Sequence, residues 1–571
     1  MEFLRKLSGM YESYAIRDKT EFIVRPEKIL NFSKKLKEIG FNFLVDLFGV
    51  DFKGDGGEDI KKIGRIPEEA RFAVIYHWLK IPENERIRVI VPLTEEQKIP
   101  SITGLIKSAN WFERETYDMF GIKFEGHPDM RRILMPEDFE DFPLRKDFPI
   151  KGKKEYIGTK FTPNFVRIEK SVSDSDEDPF EEGSKTVINI GPSHPATHGV
   201  LRIVAEIQGE TIVGADVEIG YLHRGVEKSA EYIPYEHFIP MTDRLNYVSS
   251  YLNNMIYTEA IERMSGIDPP ERAKYIRVIL GELMRIADHL VCIGTNIVDL
   301  GAFTPFLYLF EVREEIYSLL EYAVGARLTT SGTNFGGVPR DFDEKMKERT
   351  YHIVDRLLPK AIKDVDRMMT KNKIFIDRTR GIGKVTAQDA IEWGFTGPCL
   401  RASGVAWDLR KVSPYSVYNN FDFEIPVATE GDVYSRYLVR MEEMIQSAKI
   451  IRQAVRNIPD GDFILPEFKK TIPPKEKVYK HIEPLIHHFK VISESGVKPK
   501  PDWAYFAGEA ANGELGFFII PGEDRYPFRL RIRSPCFAIY QAFRHMILGQ
   551  KIADAIATLG SINIVAGELE R

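Results

Sequence analysis

The sequence predicts an α+β protein: an N-terminal α/β-sheet domain joined to a mainly helical bundle domain with small β-sheets. Three observations lead there. Residues 1–150 alternate short apolar runs with turn residues. Most of the chain after residue 240 repeats its apolar residues at helical spacing, over stretches of about 20–30 residues. Between the two, 171–184 reads Ser-Val-Ser-Asp-Ser-Asp-Glu-Asp-Pro-Phe-Glu-Glu-Gly-Ser, too acidic and too poor in apolar residues to order itself. With 571 residues the chain is too long for one ordinary core. The expected division is a domain over 1–150, an extended connector with the acidic linker over 151–185, and a second domain over 186–571.

In order along the chain, Ile29, Leu30, Phe32, Leu36 and Ile39 share one face of a helix over 26–39. Runs at 43–50, 70–79 and 86–91 read as strands. After the linker, strands are expected at 186–191, 200–209 and 211–220. Helical periodicity then covers 241–266, 271–298, 305–326, 341–369, 432–457 and 475–493. Strands return at 503–506, 513–520 and 528–533, and no internal repeat is evident.

Composition narrows the function. Hydrophobic residues make up 43% and charged residues 29%, with net charge −6, which reads as soluble and globular. No basic stripe with interleaved aromatics appears, so no nucleic-acid partner is expected. Cys292, Cys399 and Cys536 lie far apart, so the chain has no disulfide framework and is not expected to hold an iron–sulfur cluster or a metal by itself. Residues 1–10 carry Glu2, Arg5 and Lys6 with no apolar core, so no secretory signal is expected there. The nearest approach to a membrane span, 279–310, is broken by Glu282, Arg285, Asp288, His289 and Asp299. A protein of this kind working at a membrane sits on it. No Gly-rich dinucleotide loop follows a strand.

Two stretches carry most of the information. Residues 187–202, Val-Ile-Asn-Ile-Gly-Pro-Ser-His-Pro-Ala-Thr-His-Gly-Val-Leu-Arg, hold His194 and His198 on a loop between strands, stiffened by Pro192 and Pro195. From the residues alone the two histidines read more readily as a structural polar network than as a site. Residues 111–149 contain Trp-Phe-Glu-Arg-Glu-Thr-Tyr-Asp-Met-Phe-Gly-Ile, Gly-His-Pro-Asp-Met-Arg-Arg-Ile-Leu and Pro-Leu-Arg-Lys-Asp-Phe-Pro. There Glu113, Arg114, Glu115 and Asp118 read as an ion-pair face. Arg131, Arg132, Arg145 and Lys146 read as cations fit to dock an acidic neighbour. His127 lacks a second ligand nearby and reads as part of a rigid turn.

The second stretch resembles the 30-kDa-type subunit of respiratory complex I, the proton-pumping NADH:quinone oxidoreductase. The first resembles the quinone-site hairpin of its 49-kDa-type subunit, a likeness that extends over about 186–571 and would make the chain a fusion of both types. The 49-kDa family is related to the large subunit of nickel–iron hydrogenases, which supplies four thiolates as two C-x-x-C pairs. Asn246 and Ser249 stand at the first pair, and Val565 and Glu568 at the approximate second. Without sulfur ligands the hydrogenase reading fails, and what remains is a metal-free cavity for a quinone headgroup.

The resemblance implies His198 and Tyr247 as the groups that bond and protonate the two quinone oxygens. It implies Asp299 as the carboxylate that fixes His198, and His194 as loop support. Electrons would come from an iron–sulfur cluster on a neighbouring 20-kDa-type subunit, near Arg224 and Arg244, where a cation raises the cluster's potential. Arg224 also reads as the partner of Glu227 or another carboxylate, and both readings can hold together. Where the family usually has a titrating histidine after Gly325-Ala-Arg327, Thr329 stands here. The implied setting is the cytoplasmic side of the cell inner membrane, with other peripheral-arm subunits and a membrane-arm subunit at the quinone entrance as partners. The competing reading is a cofactor-less scaffold subunit of a related hydrogenase-like or other-donor quinone oxidoreductase.

Overall fold

A computed structural model describes residues 14–18, 20–153, 161–168, 185–469, 475–493 and 496–571. The acidic stretch 171–184 and residues 1–10 lie outside the described residues.

The first sheet has five strands: β1 (Tyr14–Asp18), β2 (Glu21–Ile23), β3 (Phe43–Asp51), β4 (Phe72–Lys80) and β5 (Glu85–Leu93), in the order β1-β2-β5-β4-β3. Strands β2 and β5 run parallel; the other pairs are antiparallel. Helix α1 (Ile29–Glu38) follows a 3₁₀ turn opened by Pro26, and buries Ile29, Phe32 and Leu36. A helix the periodicity did not predict, α2 (Ala109–Phe120), packs on β3. All nine residues of β3 are buried, because both faces of the sheet are covered. One face meets α1 and α2. The other, with Phe48, Val50, Ile75 and Ile90, packs on Trp503, Phe518, Ile520 and Phe528 from the far end of the chain.

A four-stranded antiparallel sheet follows, ordered β6-β9-β8-β7: β6 (Val166–Arg167), β7 (Thr186–Ile190), β8 (Arg202–Gln208) and β9 (Thr211–Glu218). The helical part includes α3 (Tyr235–Thr242) and is built round α5 (Glu271–Asp299), 29 residues long. Around it pack α4 (Ser250–Ser265), α6 (Phe303–Val324), α7 (Val433–Asn457) and a helix near the end of the chain, Ile552–Ile562. The predicted charges of α5 are inside: Glu282, Arg285, Asp288 and His289 are fully buried, held by partners rather than by water. The last sheet is a meander of β10 (Ala504–Ala510), β11 (Gly513–Pro521) and β12 (Pro527–Arg533). No helix among the described residues is long and apolar enough to cross a membrane.

Three expected helices are interrupted. The run 241–266 divides into a helix Tyr235–Thr242, a turn, and α4. Within that turn Asp243 accepts the backbone N–H and hydroxyl of Ser331, and Asn246 caps the N–H of Val248. Local side-chain bonds thus replace the helical ladder. The run 341–369 contains two π turns, Ile353–Leu357 and Asp366–Thr370. The run 475–493 divides at His481.

The cations expected to dock an acidic neighbour are satisfied within the chain. Arg131 binds Asp129 and Asp216, Arg132 binds Asp118, Lys146 binds Glu231, and Arg145 donates to the carbonyl of Phe120. The expected ion-pair face on α2 is not a face: Glu113, Arg114, Glu115 and Asp118 are all buried. Glu115 and Asp46 grip Arg531 of β12 at 2.6–3.0 Å, and Glu115 also receives Arg571 at 2.9 Å. Arg86 adds a two-pronged bond to Glu514. His127 does form a turn: it accepts the N–H of Asp129 through Nδ1, and Nε2 lies 3.1 Å from the carbonyl of Asn110.

Candidate functional site

The loop after β7 turns through a 3₁₀ step, Pro195–Thr197, and delivers His198 in the left-handed region at φ 53°. That conformation costs a residue with a β-carbon about 1–2 kcal/mol. Local bonds hold it: the Thr197 hydroxyl lies 2.6 Å from the carbonyl of His194 and 2.8 Å from that of Gly199. Gly191 makes the bend possible, because at φ 92° a Cβ there would sit 2.0 Å from the carbonyl oxygen of Leu201. His194 is exposed; its Nδ1 accepts the N–H of Ala196 and caps the turn.

His198 Nε2 lies 2.6 Å from Oδ2 of Asp299, the last residue of α5. The bond fixes the ring and leaves Nδ1 free to face another group. Both side chains are partly exposed, 23% and 16%. Tyr247 opens the turn capped by Asn246 and is 37% exposed. Burial first, then Asp288 and Cys536, push its hydroxyl above the ordinary phenol range.

His198, Tyr247 and Asp299 line one cavity of about 510 Å³. Its walls are mostly apolar: Val248, Val291, Val298, Leu328, Ile564 and Val565, with Phe303, Phe306 and Phe310 along α6, beside the polar Thr295, Arg313, Tyr317 and Asn563. The Phe303 and Phe306 rings stack at 5.6 Å, and Phe306 and Phe310 lie at 3.9 Å. Phe303 is 59% exposed, which marks this aromatic row as the open side. An apolar slot with a few convergent polar groups is the usual form of a site for a flat organic ligand. Clefts of about 720 and 790 Å³ elsewhere are larger. Their lining mixes surface lysines and carboxylates, and neither contains the His–Asp pair.

The positions where thiolates would stand in a hydrogenase meet at the floor of this cavity. Asn246 donates to Asp288 at 2.8 Å, and a Cβ on Gly567 would touch the carbonyls of Arg244 and Leu245. Among the described residues no group of three or more His, Cys, Asp or Glu is arranged to hold a metal.

Arg224 and Arg244 lie side by side, outside the cavity: an N–H of Arg224 donates to the carbonyl of Arg244 at 2.8 Å. Burial, and then the charge of Arg244, lower the Arg224 pKa. Glu227 is not its partner; that carboxylate binds Arg529 at 2.7 Å instead. Thr329 is half-buried between Leu328 and Thr330, whose polar groups bond Ser250. The sequence reading missed Asn563, Ile564 and the phenylalanine row. The row was visible as Phe303, Phe306 and Phe310 at i, i+3, i+7, the spacing of one helix face.

Two family models match this chain, one in each part. Residues 22–154 match the family model of the respiratory-chain NADH dehydrogenase 30 Kd subunit, and 299–571 that of the 49 Kd subunit. The C/D subunit of the NADH-quinone oxidoreductase of Bdellovibrio bacteriovorus is 45% identical over 538 residues, covering 94% of this chain and 92% of that protein. The second C/D subunit of the Aquifex aeolicus NADH-quinone oxidoreductase is 40% identical, covering 95% and 93%. The C/D subunit of the Ectopseudomonas mendocina NADH-quinone oxidoreductase is 38% identical, covering 96% and 92%.

Proposed function

The chain belongs to the respiratory-chain NADH dehydrogenase family as a fusion of its 30-kDa-type and 49-kDa-type subunits, and on that premise we propose that its cavity is the quinone headgroup site of the complex. The observation that carries the reading is the convergence of His198, Tyr247 and Asp299 on one aromatic-walled slot. Reducing a quinone to a quinol takes two electrons and two protons, one proton on each ring oxygen. His198 and Tyr247 supply a hydrogen-bond donor each, and Asp299 orients the imidazole and balances its charge when it is protonated. The phenylalanine row forms the side through which an apolar tail leaves.

Electrons arrive from an iron–sulfur cluster on the neighbouring 20-kDa-type subunit, which docks by Arg224 and Arg244. These two adjacent cations suit a negatively charged cluster. The other partners are further peripheral-arm subunits and a membrane-arm subunit at the quinone entrance. The complex works at the cytoplasmic side of the inner membrane and passes the redox energy to proton pumping. In this reading 1–150 is the 30-kDa-type domain, 151–185 the connector and 186–571 the 49-kDa-type domain, and this chain holds no cofactor itself.

Tyr247→Phe in the assembled complex tests the site. Quinone reduction falls by about 100-fold or more, while NADH oxidation with an artificial acceptor at the flavin persists. His198→Ala acts similarly. Unchanged quinone kinetics in both variants would leave a scaffold subunit as the better reading.

A further inference from the structure

Two carboxylates beneath Tyr247 have no part in the chemistry described above. Asp288, in α5, and Glu568, in a helical turn Ala566–Leu569, are 0% and 1% exposed. Hydrogen bonds from neutral groups reach both. Asn246 and Asn563 donate to the two oxygens of Asp288 at 2.8 and 2.7 Å. Asn512 and the Cys536 thiol donate to one oxygen of Glu568 at 3.2 and 3.0 Å. Asn563 also lies 2.6 Å from Asn512, so two amides join the carboxylates into one buried network. Asn563 and Tyr247 both line the cavity, which makes this network its floor.

Two buried carboxylates held by amides cannot both ionise cheaply. Burial pushes Glu568 up to about 7, and Asp288 pushes in the same direction against the bonds from Cys536 and Asn512. The cation acting on Glu568 is Arg533 of β12, and its guanidinium is committed to the carbonyls of Glu514, Gly394 and Val45 and to Thr396. Arg440 of α7 faces Asp288 and donates to the carbonyl of Ser561. Toward Asp288 also lie Cys292, the Tyr317 hydroxyl of α6, and its neighbour His289, which is bonded to Glu443. Glu570 and Arg571 follow on the turn that carries Glu568; the first bonds the N–H of Leu222, the second Glu115.

We infer that Glu568 holds a proton at neutral pH, so that the cavity floor carries a single negative charge, an inference that rests on the quinone-site reading. The two are positioning residues acting through Tyr247. When Tyr247 gives its proton to a quinone oxygen, the phenolate forms over the floor. With Glu568 neutral it meets one buried charge; with Glu568 ionised it meets two. Quinone reduction therefore declines as pH rises through about 7.

The test uses the assembled complex. Glu568→Gln keeps an acceptor for Asn512 and Cys536 but cannot titrate. The infrared difference between the wild type and this variant at pH 6 is expected to show a protonated-carboxyl C=O band, which disappears by pH 8.5. Across the same range wild-type quinone turnover falls by about tenfold, the effect of one nearby charge at moderate dielectric, and the variant stays within about twofold. Asp288→Asn removes the like charge, so the carboxyl band fades at a lower pH; this keeps the test open if Glu568→Gln does not assemble. The inference is overturned by the absence of the band at pH 6, by its persistence at pH 8.5, or by a decline in turnover that Glu568→Gln leaves unchanged. Failure of the underlying site reading looks different: Tyr247→Phe would leave quinone kinetics intact while the band remained.

Discussion

Thr329 stands where the resemblance places a titrating histidine. A histidine beside a cluster takes up a proton on reduction, because added negative charge raises an imidazole pKa. A threonine hydroxyl does not titrate. The partner cluster's potential is therefore expected to change with pH by well under about 59 mV per unit, the slope for one proton per electron, and Thr329→His is expected to steepen it. A redox titration of the unmodified complex giving the full slope would defeat the argument. It would point to His223 or Glu570, which flank Arg224 and bond each other through the His223 ring and the Glu570 carbonyl. The sequence named His198, Tyr247 and Asp299, which the fold brings to one cavity, because a family motif carries residue identity across long separations. It did not reveal that Glu113, Glu115 and Asp118 are buried, since a charged residue paired inside a protein reads the same as one in water.

The elements that aim the site are short and irregular. The hairpin β7–β8 is registered by pairs such as Ile203 with Ile190, and the chain between them folds back at Gly191. Gly191→Ala sets a methyl group against the Leu201 carbonyl and displaces His198. Quinone reduction is expected to fall by as much as about 100-fold, as for other misplaced catalytic groups, with the flavin-site reaction kept. Normal quinone turnover in this variant would mean that the loop adapts. Long helices such as α5 and α7 were readable from periodicity to within a residue or two. The break at 243–249 was not, because it depends on Asp243 meeting Ser331 and Asn246 meeting Asp288, contacts made only after folding. That break is what turns Tyr247 into the cavity rather than along a helix.

Across the whole molecule, the parts on either side of the acidic stretch pack against each other. The first sheet is covered by the last, and Arg531 of β12 lies between Asp46 and Glu115. Arg531→Met strands the buried Asp46, leaves Glu115 with Arg571 alone, and is expected to cost about 3–5 kcal/mol. The checks are the denaturation midpoint of the purified complex and the yield of assembled complex; if both are unchanged, the seam contributes nothing. The same seam has a consequence for supply. Were its two sides made as separate polypeptides, they would have to find each other by diffusion, at whatever amounts the cell happened to produce. Carried on one polypeptide, they meet at a local concentration that a short tether sets in the millimolar range, independent of expression level. Each complex then receives one copy of either half, and no unpaired half is left exposing the apolar face of its sheet to aggregation.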